Sequence, residues 1–129
     1  MAKFHHAAAT KSGKIAVWGS GRPRREFIFG EDFARAAVHV MDHYEEEQII
    51  NAGPGEDIAI SDLARMMAEI TGFKGEIIFD ASKPDGALQK LLDSQRIVQS
   101  GWKPAVSLKD GLARMYDWYR TIVNNGVKT

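Results

Sequence analysis

Val17–Phe27 reads VWGSGRPRREF, and the rest of the chain is organised around it. A β-forming run ends at Trp18, and Gly19 and Gly21 frame Ser20 to mark a turn. Arg22, Arg24 and Arg25 follow, broken only by Pro23, and Phe27–Ile28–Phe29 resumes the apolar pattern. An aromatic ring, a backbone free to bend and forked cations thus stand close together. That set suits a planar base and a phosphate, because a guanidinium presents its donors in one plane that matches two phosphate oxygens. The same letters also describe a solvated loop beside a core tryptophan, and this stretch alone leaves both readings open.

Outward from the turn, short strands alternate with amphipathic helices. Ile15–Trp18 is rich in β-formers and predicts a strand, and a second strand is expected at about Glu26–Phe29. Gly30–Glu31–Asp32 opens a helix, with acids at the positive end of its dipole. Phe33, Ala36, Ala37, Val40, Met41 and Tyr44 then form an apolar face at helical spacing. Before the turn, Met1–Ala9 reads as a short helical stub ended by Lys11–Ser12–Gly13. After the helix, Gln48–Asn51 predicts a short buried strand, Gly53–Pro54–Gly55 a turn, and Ile58 and Ile60 an extended entry.

Ser61 is the expected cap of the next helix, with Leu63, Met67 and Ile70 facing inward, Met66 beside them, and Gly72 as its stop. Glu76–Phe79 is another strand. Asp80–Gln89 is a loop built on Pro84–Asp85–Gly86, and Lys90–Asp93 is extended. Ser94–Ser100 forms a short helix closed by Gly101. Ser107 and Asp110 mark the start of a last helix with Leu108, Leu112, Met115, Tyr119 and Ile122 at its spacing, fraying at Asn124–Asn125–Gly126. The expected class is α/β, a small mixed lobe rather than a doubly wound sheet.

The 129 residues fit one domain and bury enough surface for a core. Acids and bases balance at 17 each, so any anion site must be a local cluster, and nucleic acid is not an expected partner. The chain has no cysteine, which removes disulfides, thiolate metal sites and cysteine nucleophiles and fits a reducing compartment. No stretch has signal-peptide or membrane-spanning character, so the expectation is a cytoplasmic protein without membrane contact.

Several chemistries find no support in the spacing. Gly19–Ser20–Gly21 lacks the third small residue of a dinucleotide turn, since that position is Arg24. Gly53 and Gly55 lack the lysine and hydroxyl residue of a P-loop. His39 and His43 lie one turn apart with no further ligand in reach, and read as a flanking, partly exposed pair rather than a metal site. Tyr44, Tyr116 and Tyr119 carry Gln48, Arg120 and Val123 four positions on, so none is set beside a lysine for proton transfer. Glu31 and Asp32 are better explained as helix-start acids than as an acid–base pair. What is left is basic: Arg22, Arg24, Arg25, Lys83 and Lys90. If the Pro84–Gly86 loop folds against the tryptophan–arginine turn, these form one anion pocket. If not, they are two separate solvated loops.

VWGSGRPRREFIF with a G-E-D helix start, NAGPGEDIAISDLA, FDASKPDGALQKLLDSQRIVQSGWKP and SLKDGLARMYDWY together resemble the C-terminal part of the GDP-L-fucose synthase family. That family lies among the extended short-chain dehydrogenase/reductases of NAD-dependent epimerase/dehydratase type. The resemblance runs from Lys3–Phe4–His5 to about Tyr119. It implies an enzyme that epimerises GDP-4-keto-6-deoxymannose at carbons 3 and 5 and reduces its 4-keto group with NADPH. It also implies an N-terminal Rossmann domain holding the cofactor and all catalytic residues, closed by a C-terminal lobe over the GDP-sugar. By resemblance Trp18, Arg25 and Lys90 line the substrate pocket, with Lys3 near it, and this chain supplies no catalytic, cofactor-binding or metal-binding residue.

The expectation is therefore that residues 1–129 form a single substrate-binding lobe without its Rossmann domain, binding GDP-sugar weakly and inactive alone. Within the opening stretch, Trp18 and Arg25 carry the weight, while Arg22 and Arg24 are expected to be a solvated pair. A lobe lacking its neighbour should expose an apolar patch around Phe4 and Trp18. Partners beyond the sugar nucleotide are a separate Rossmann half or a second copy of the chain. Two departures stand out: Gly30–Glu31–Asp32 replaces Val-Asp-Asp or similar, and Ala87–Leu88–Gln89 replaces Thr-Pro-Arg, with the loss of one cation. The alternatives are a lobe for another nucleotide sugar and a non-catalytic protein that works by association.

Overall fold

Side chains alternate in and out along Lys14–Trp18, so Ile15 and Val17 face inward while Lys14, Ala16 and Trp18 face out. In the computed structural model, which describes residues 1–124, this is strand β1. It pairs in parallel with β4 (Glu76–Asp80), from Lys14 opposite Glu76 to Trp18 opposite Asp80. Helix α1 (Ala2–Ala9) and helix α3 (Ile60–Thr71) cover the inner face of this pair. Phe4, Ala7, Ile15, Ala64, Met67 and Phe73 form the main core there, with Phe4 meeting Phe73 edge to face at 6.0 Å.

A second sheet has three strands in the order β3 (Ile58–Ala59), β2 (Arg24–Arg25), β5 (Gln89–Lys90). Its middle strand, β2, is only Arg24–Arg25. It pairs antiparallel with β3 (Ile58–Ala59) and parallel with β5 (Gln89–Lys90). Helix α2 (Gly30–His43) packs through Ala36 on a smaller core with Ile97 of α4 (Gln95–Gln99) and with Trp102. Helix α5 (Leu108–Asn124) lies against α3 and closes the main core through Leu112. No described helix is long and apolar enough to cross a membrane.

The α/β class, the strands at Ile15–Trp18 and Glu76–Phe79, the left-handed Gly72 stop and the Ser107–Asp110 cap are all present. Other expectations are corrected. The second strand is at Arg24–Arg25, not Glu26–Phe29, because the Glu26 carboxylate takes the neighbouring amides of Gly55 and Leu92 and ends the ladder. Ser61 does not cap α3, which starts one residue earlier. Its first amides are already satisfied, Ile60 N–H by Pro23 O and Ser61 N–H by Gly21 O, both at 2.9 Å.

Gln48–Asn51 is not a strand. Arg96 donates to Ile49 O and Gln48 Oε1, and Asn51 Nδ2 donates to Asp93 O, so side chains hold the segment in place of a ladder. The apolar face of α2 exists but is mostly uncovered: Phe33 is 55% exposed and Met41 84%, and Ile49 beyond the helix is 88% exposed. Phe4 is core rather than patch, whereas Trp18 is 72% exposed. The expected fraying at Asn124–Gly126 falls, from residue 125 on, outside the described residues.

One buried charge ties the second core to the last helix. Asp32 is 1% exposed and accepts from Arg35 at 2.5 Å and from the amides of Ala105 and Val106 at 3.1 and 2.8 Å. Burial pushes its carboxyl up, but these hydrogen bonds outweigh that and hold it below the usual range. A depressed native value means stability that is present above the ordinary carboxylate range and lost as the pH falls through the lowered one. Asp32→Ala should cost about 2–4 kcal/mol, read by denaturant unfolding, because two amides lose their acceptor and Arg35 its partner. Asp32→Asn should flatten the acid limb of the stability profile.

Candidate functional site

The turn between β1 and β2 requires its glycines. Gly19 and Gly21 have φ of +84° and +76°, in the left-handed region. A Cβ on Gly21 would also lie 2.6 Å from the Phe79 ring. Beyond Pro23 the chain enters β2, where Arg24 stands opposite Gln89 and Arg25 opposite Lys90. The Arg24 amide donates to Leu88 O at 2.8 Å. The Pro84–Gly86 loop therefore does fold against the tryptophan–arginine turn. Asp85 closes the join, accepting from the Ser20 amide and the Ser20 hydroxyl, each at 2.6 Å. These bonds, side chain first, hold the Asp85 carboxyl below the usual range.

Successive strand side chains point to opposite faces, and this sorts the charges. Arg24, Gln89 and Asp57 share one face. Arg24 Nε pairs with Asp57 Oδ1 at 2.5 Å, and Gln89 Nε2 donates to Oδ2 at 2.5 Å. Gln89 first, then Arg24, lower the Asp57 pKa. Arg24 is thus an ion-pair partner rather than half of a solvated pair, because Asp57 precedes β3 at the point where that strand meets β2. Arg22 remains exposed, its Nε at 3.3 Å from Ser20 Oγ.

Arg25 and Lys90 share the other face. Arg25 Nη1 donates to Arg24 O at 2.7 Å, and among the described residues neither cation has a carboxylate within ion-pair distance. They line an open cleft of about 480 Å³ with Glu26, Leu91 and Leu92. Glu26 lines the same cleft, with its oxygens accepting Gly55 N at 2.8 Å and Leu92 N at 3.0 Å. Arg25 also borders a second cavity of about 380 Å³ walled by Phe27, Phe29, Ile58, Met66 and Pro104.

Trp18 sits apart from this pair at the end of β1, with Lys83 Nζ 5.8 Å from its ring centroid. Lys3 is an exposed residue of α1 whose Nζ donates to Ala16 O of β1 at 2.6 Å. The structure therefore brings together Arg25 and Lys90, and Trp18 and Lys83, on two joined loops. Lys3 is held by β1 backbone one side-chain repeat before Trp18. Glu26 and Asp85, the two residues that fasten these loops, were not foreseen. The only sequence signal for Asp85 is its place in a Pro–Asp–Gly turn, and Glu26 has none. His39 and His43 stack at 4.4 Å, with His39 Nε2 against Ser100 Oγ at 2.9 Å, and no cluster of three metal-ligating side chains exists among the described residues.

The family model for the NAD dependent epimerase/dehydratase family matches residues 1–53. GDP-L-fucose synthase of Escherichia coli K12 is 43% identical over 92% of this chain and 40% of its own length. GDP-L-fucose synthase 1 of Arabidopsis thaliana is 42% identical over 97% and 39%. The structure of a GDP-mannoheptose C4 reductase of Campylobacter jejuni with NADP bound is 34% identical, with a TM-score of 0.79 over 92% of this chain and 42% of that one. This chain spans well under half the length of the curated relatives it matches. The Gly19–Gly21 turn lacks the geometry of a dinucleotide-binding glycine turn, since it leads into β2 rather than a helix and its Ser20 amide is already taken by Asp85.

Glu26→Ala should lower stability by about 1–3 kcal/mol, since two backbone amides lose their acceptor. The check is a lower thermal midpoint together with faster hydrogen exchange at the Gly55 and Leu92 amides.

Proposed function

With homology to GDP-L-fucose synthases over nine-tenths of its length as the premise, we propose that the chain is the GDP-sugar-binding lobe of such an enzyme. Arg25 and Lys90 hold the diphosphate, Trp18 packs on the nucleoside or sugar, and Lys3 adds charge beside β1. The observation that carries this is the Arg25–Lys90 pair. Like charges placed directly across a strand pair are destabilising, and an anion between them converts that repulsion into two charge-assisted contacts. A guanidinium fork and an ammonium suit a diphosphate, one bidentate and one a point charge.

These cations bind ground state and transition state alike and do no chemistry themselves. Epimerisation at carbons 3 and 5 and reduction by NADPH would fall to residues outside this chain, so the isolated chain is inactive. The uncovered apolar stripe of α2 supports a lobe that packs against further protein, either a Rossmann half or a second copy. It lies within residues 1–53, the part matched by the epimerase/dehydratase family model. The cytoplasmic placement belongs to the same proposal.

Calorimetric titration with GDP tests the reading. Wild type should bind, and Arg25→Ala and Lys90→Ala should each weaken binding about tenfold or more, as the loss of one charge-assisted contact implies. Affinity should fall as salt rises. UDP and dTDP in the same titration separate this reading from a lobe for another nucleotide sugar. Absence of GDP binding at millimolar ligand would sink it.

A further inference from the structure

The segments that carry Lys83, Arg25 and Lys90 of the proposed site are joined by one carboxylate. Asp85 Oδ1 accepts the Ser20 amide and Oδ2 the Ser20 hydroxyl, both at 2.6 Å. The approach is so close that a Cβ on Gly19 would lie 2.5 Å from Oδ1. On one side of the join, Lys83 stands 5.8 Å from the Trp18 ring centroid. On the other, Gly86 passes the Arg25 side chain, where a Cβ would lie 4.0 Å from Nη2. Three residues further on, the loop becomes β5 and sets Lys90 opposite Arg25.

We propose that Asp85 is the positioning residue of the nucleotide-sugar site: its carboxylate locks the loop bearing Lys83 and Lys90 onto the turn bearing Trp18 and leading to Arg25. The inference rests on the reading of Arg25 and Lys90 as diphosphate ligands. The Asp85 charge itself opposes an anion nearby, and the Arg22 charge offsets it in part. Here both oxygens are committed to Ser20, with the Arg22 charge nearby. The clamp also consumes the Ser20 amide, which at a glycine turn would otherwise compete for phosphate. Asp85 touches neither substrate nor the reacting atoms. It acts through the spacing of Trp18, Lys83, Arg25 and Lys90.

The test is calorimetric GDP titration of wild type, Arg25→Ala, Asp85→Ala, Asp85→Asn and Ser20→Ala, with ¹H–¹⁵N spectra following the Ser20 amide and the Trp18 indole N–H. Asp85→Ala should weaken GDP binding about tenfold and move both resonances, while the Ile15 and Met67 amides stay in place. Asp85→Asn should restore most of the affinity, because its Oδ1 still accepts from the Ser20 amide and its Nδ2 donates to the Ser20 hydroxyl. If Asp85→Ala does not fold, Ser20→Ala, which removes one of the two contacts, must weaken GDP on its own. GDP affinity unchanged in Asp85→Ala, or in Ser20→Ala where the former is unfolded, while Arg25→Ala binds weakly, overturns the positioning role and leaves the nucleotide reading standing. A wild type that ignores GDP, or an Arg25→Ala variant that binds like wild type, overturns both.

Discussion

Two backbone units, Arg24 and Arg25, hold the site together. A strand this short has few ladder hydrogen bonds, yet it joins β3 on one edge and β5 on the other. Buried or half-buried backbone groups must find partners, and around β2 they find them in sequence-distant segments. Pro23 O and Gly21 O accept the first amides of α3, and the Arg24 amide reaches Leu88 O. One short stretch thereby fixes the start of a helix that packs in the main core and the loop that brings Lys90 into place. Strands of this length are marginal by themselves, so their order depends on the side-chain clamps around them, Glu26 on Gly55 and Leu92 and Asp85 on Ser20.

How much of this was legible in the sequence follows from the range of each interaction. β1 and β4 were readable because burial alternates along five residues, enough to leave a period. α3 was readable from its apolar spacing and from Gly72, whose left-handed conformation is a local requirement. β2 was not, since a two-residue ladder has no period, and its partners lie more than thirty and sixty positions away. The Ser61 cap failed for the same reason: the signal is local, but Gly21 and Pro23 had already satisfied the amides it would serve. On α2 the period marks the apolar face but not what covers it. Periodicity reports that a stripe is apolar, and says nothing of whether the described residues cover it. Here only the Ala36 side meets Ile97 and Trp102.

The candidate site shows the same division. The composition of VWGSGRPRREF leaves an anion site and a solvated loop both open, and the sorting of its three arginines depends on strand phase. Adjacent residues of a strand face opposite ways, so Arg24 and Arg25 could not serve the same partner. On one face Asp57 and Gln89 complete a neutral, hydrogen-bonded cluster with Arg24. On the other, Arg25 stands opposite Lys90, and Glu26 in their cleft accepts from the Gly55 and Leu92 amides. A chain whose formal charges cancel overall thus places side by side two cations that have no ion-pair partner among the described residues. A shift of one residue in the register of β2 would turn Arg25 toward the face of Asp57 and Arg24 toward the face of Lys90. In the observed register the Glu26 carboxylate, one residue after Arg25, holds the Gly55 and Leu92 amides.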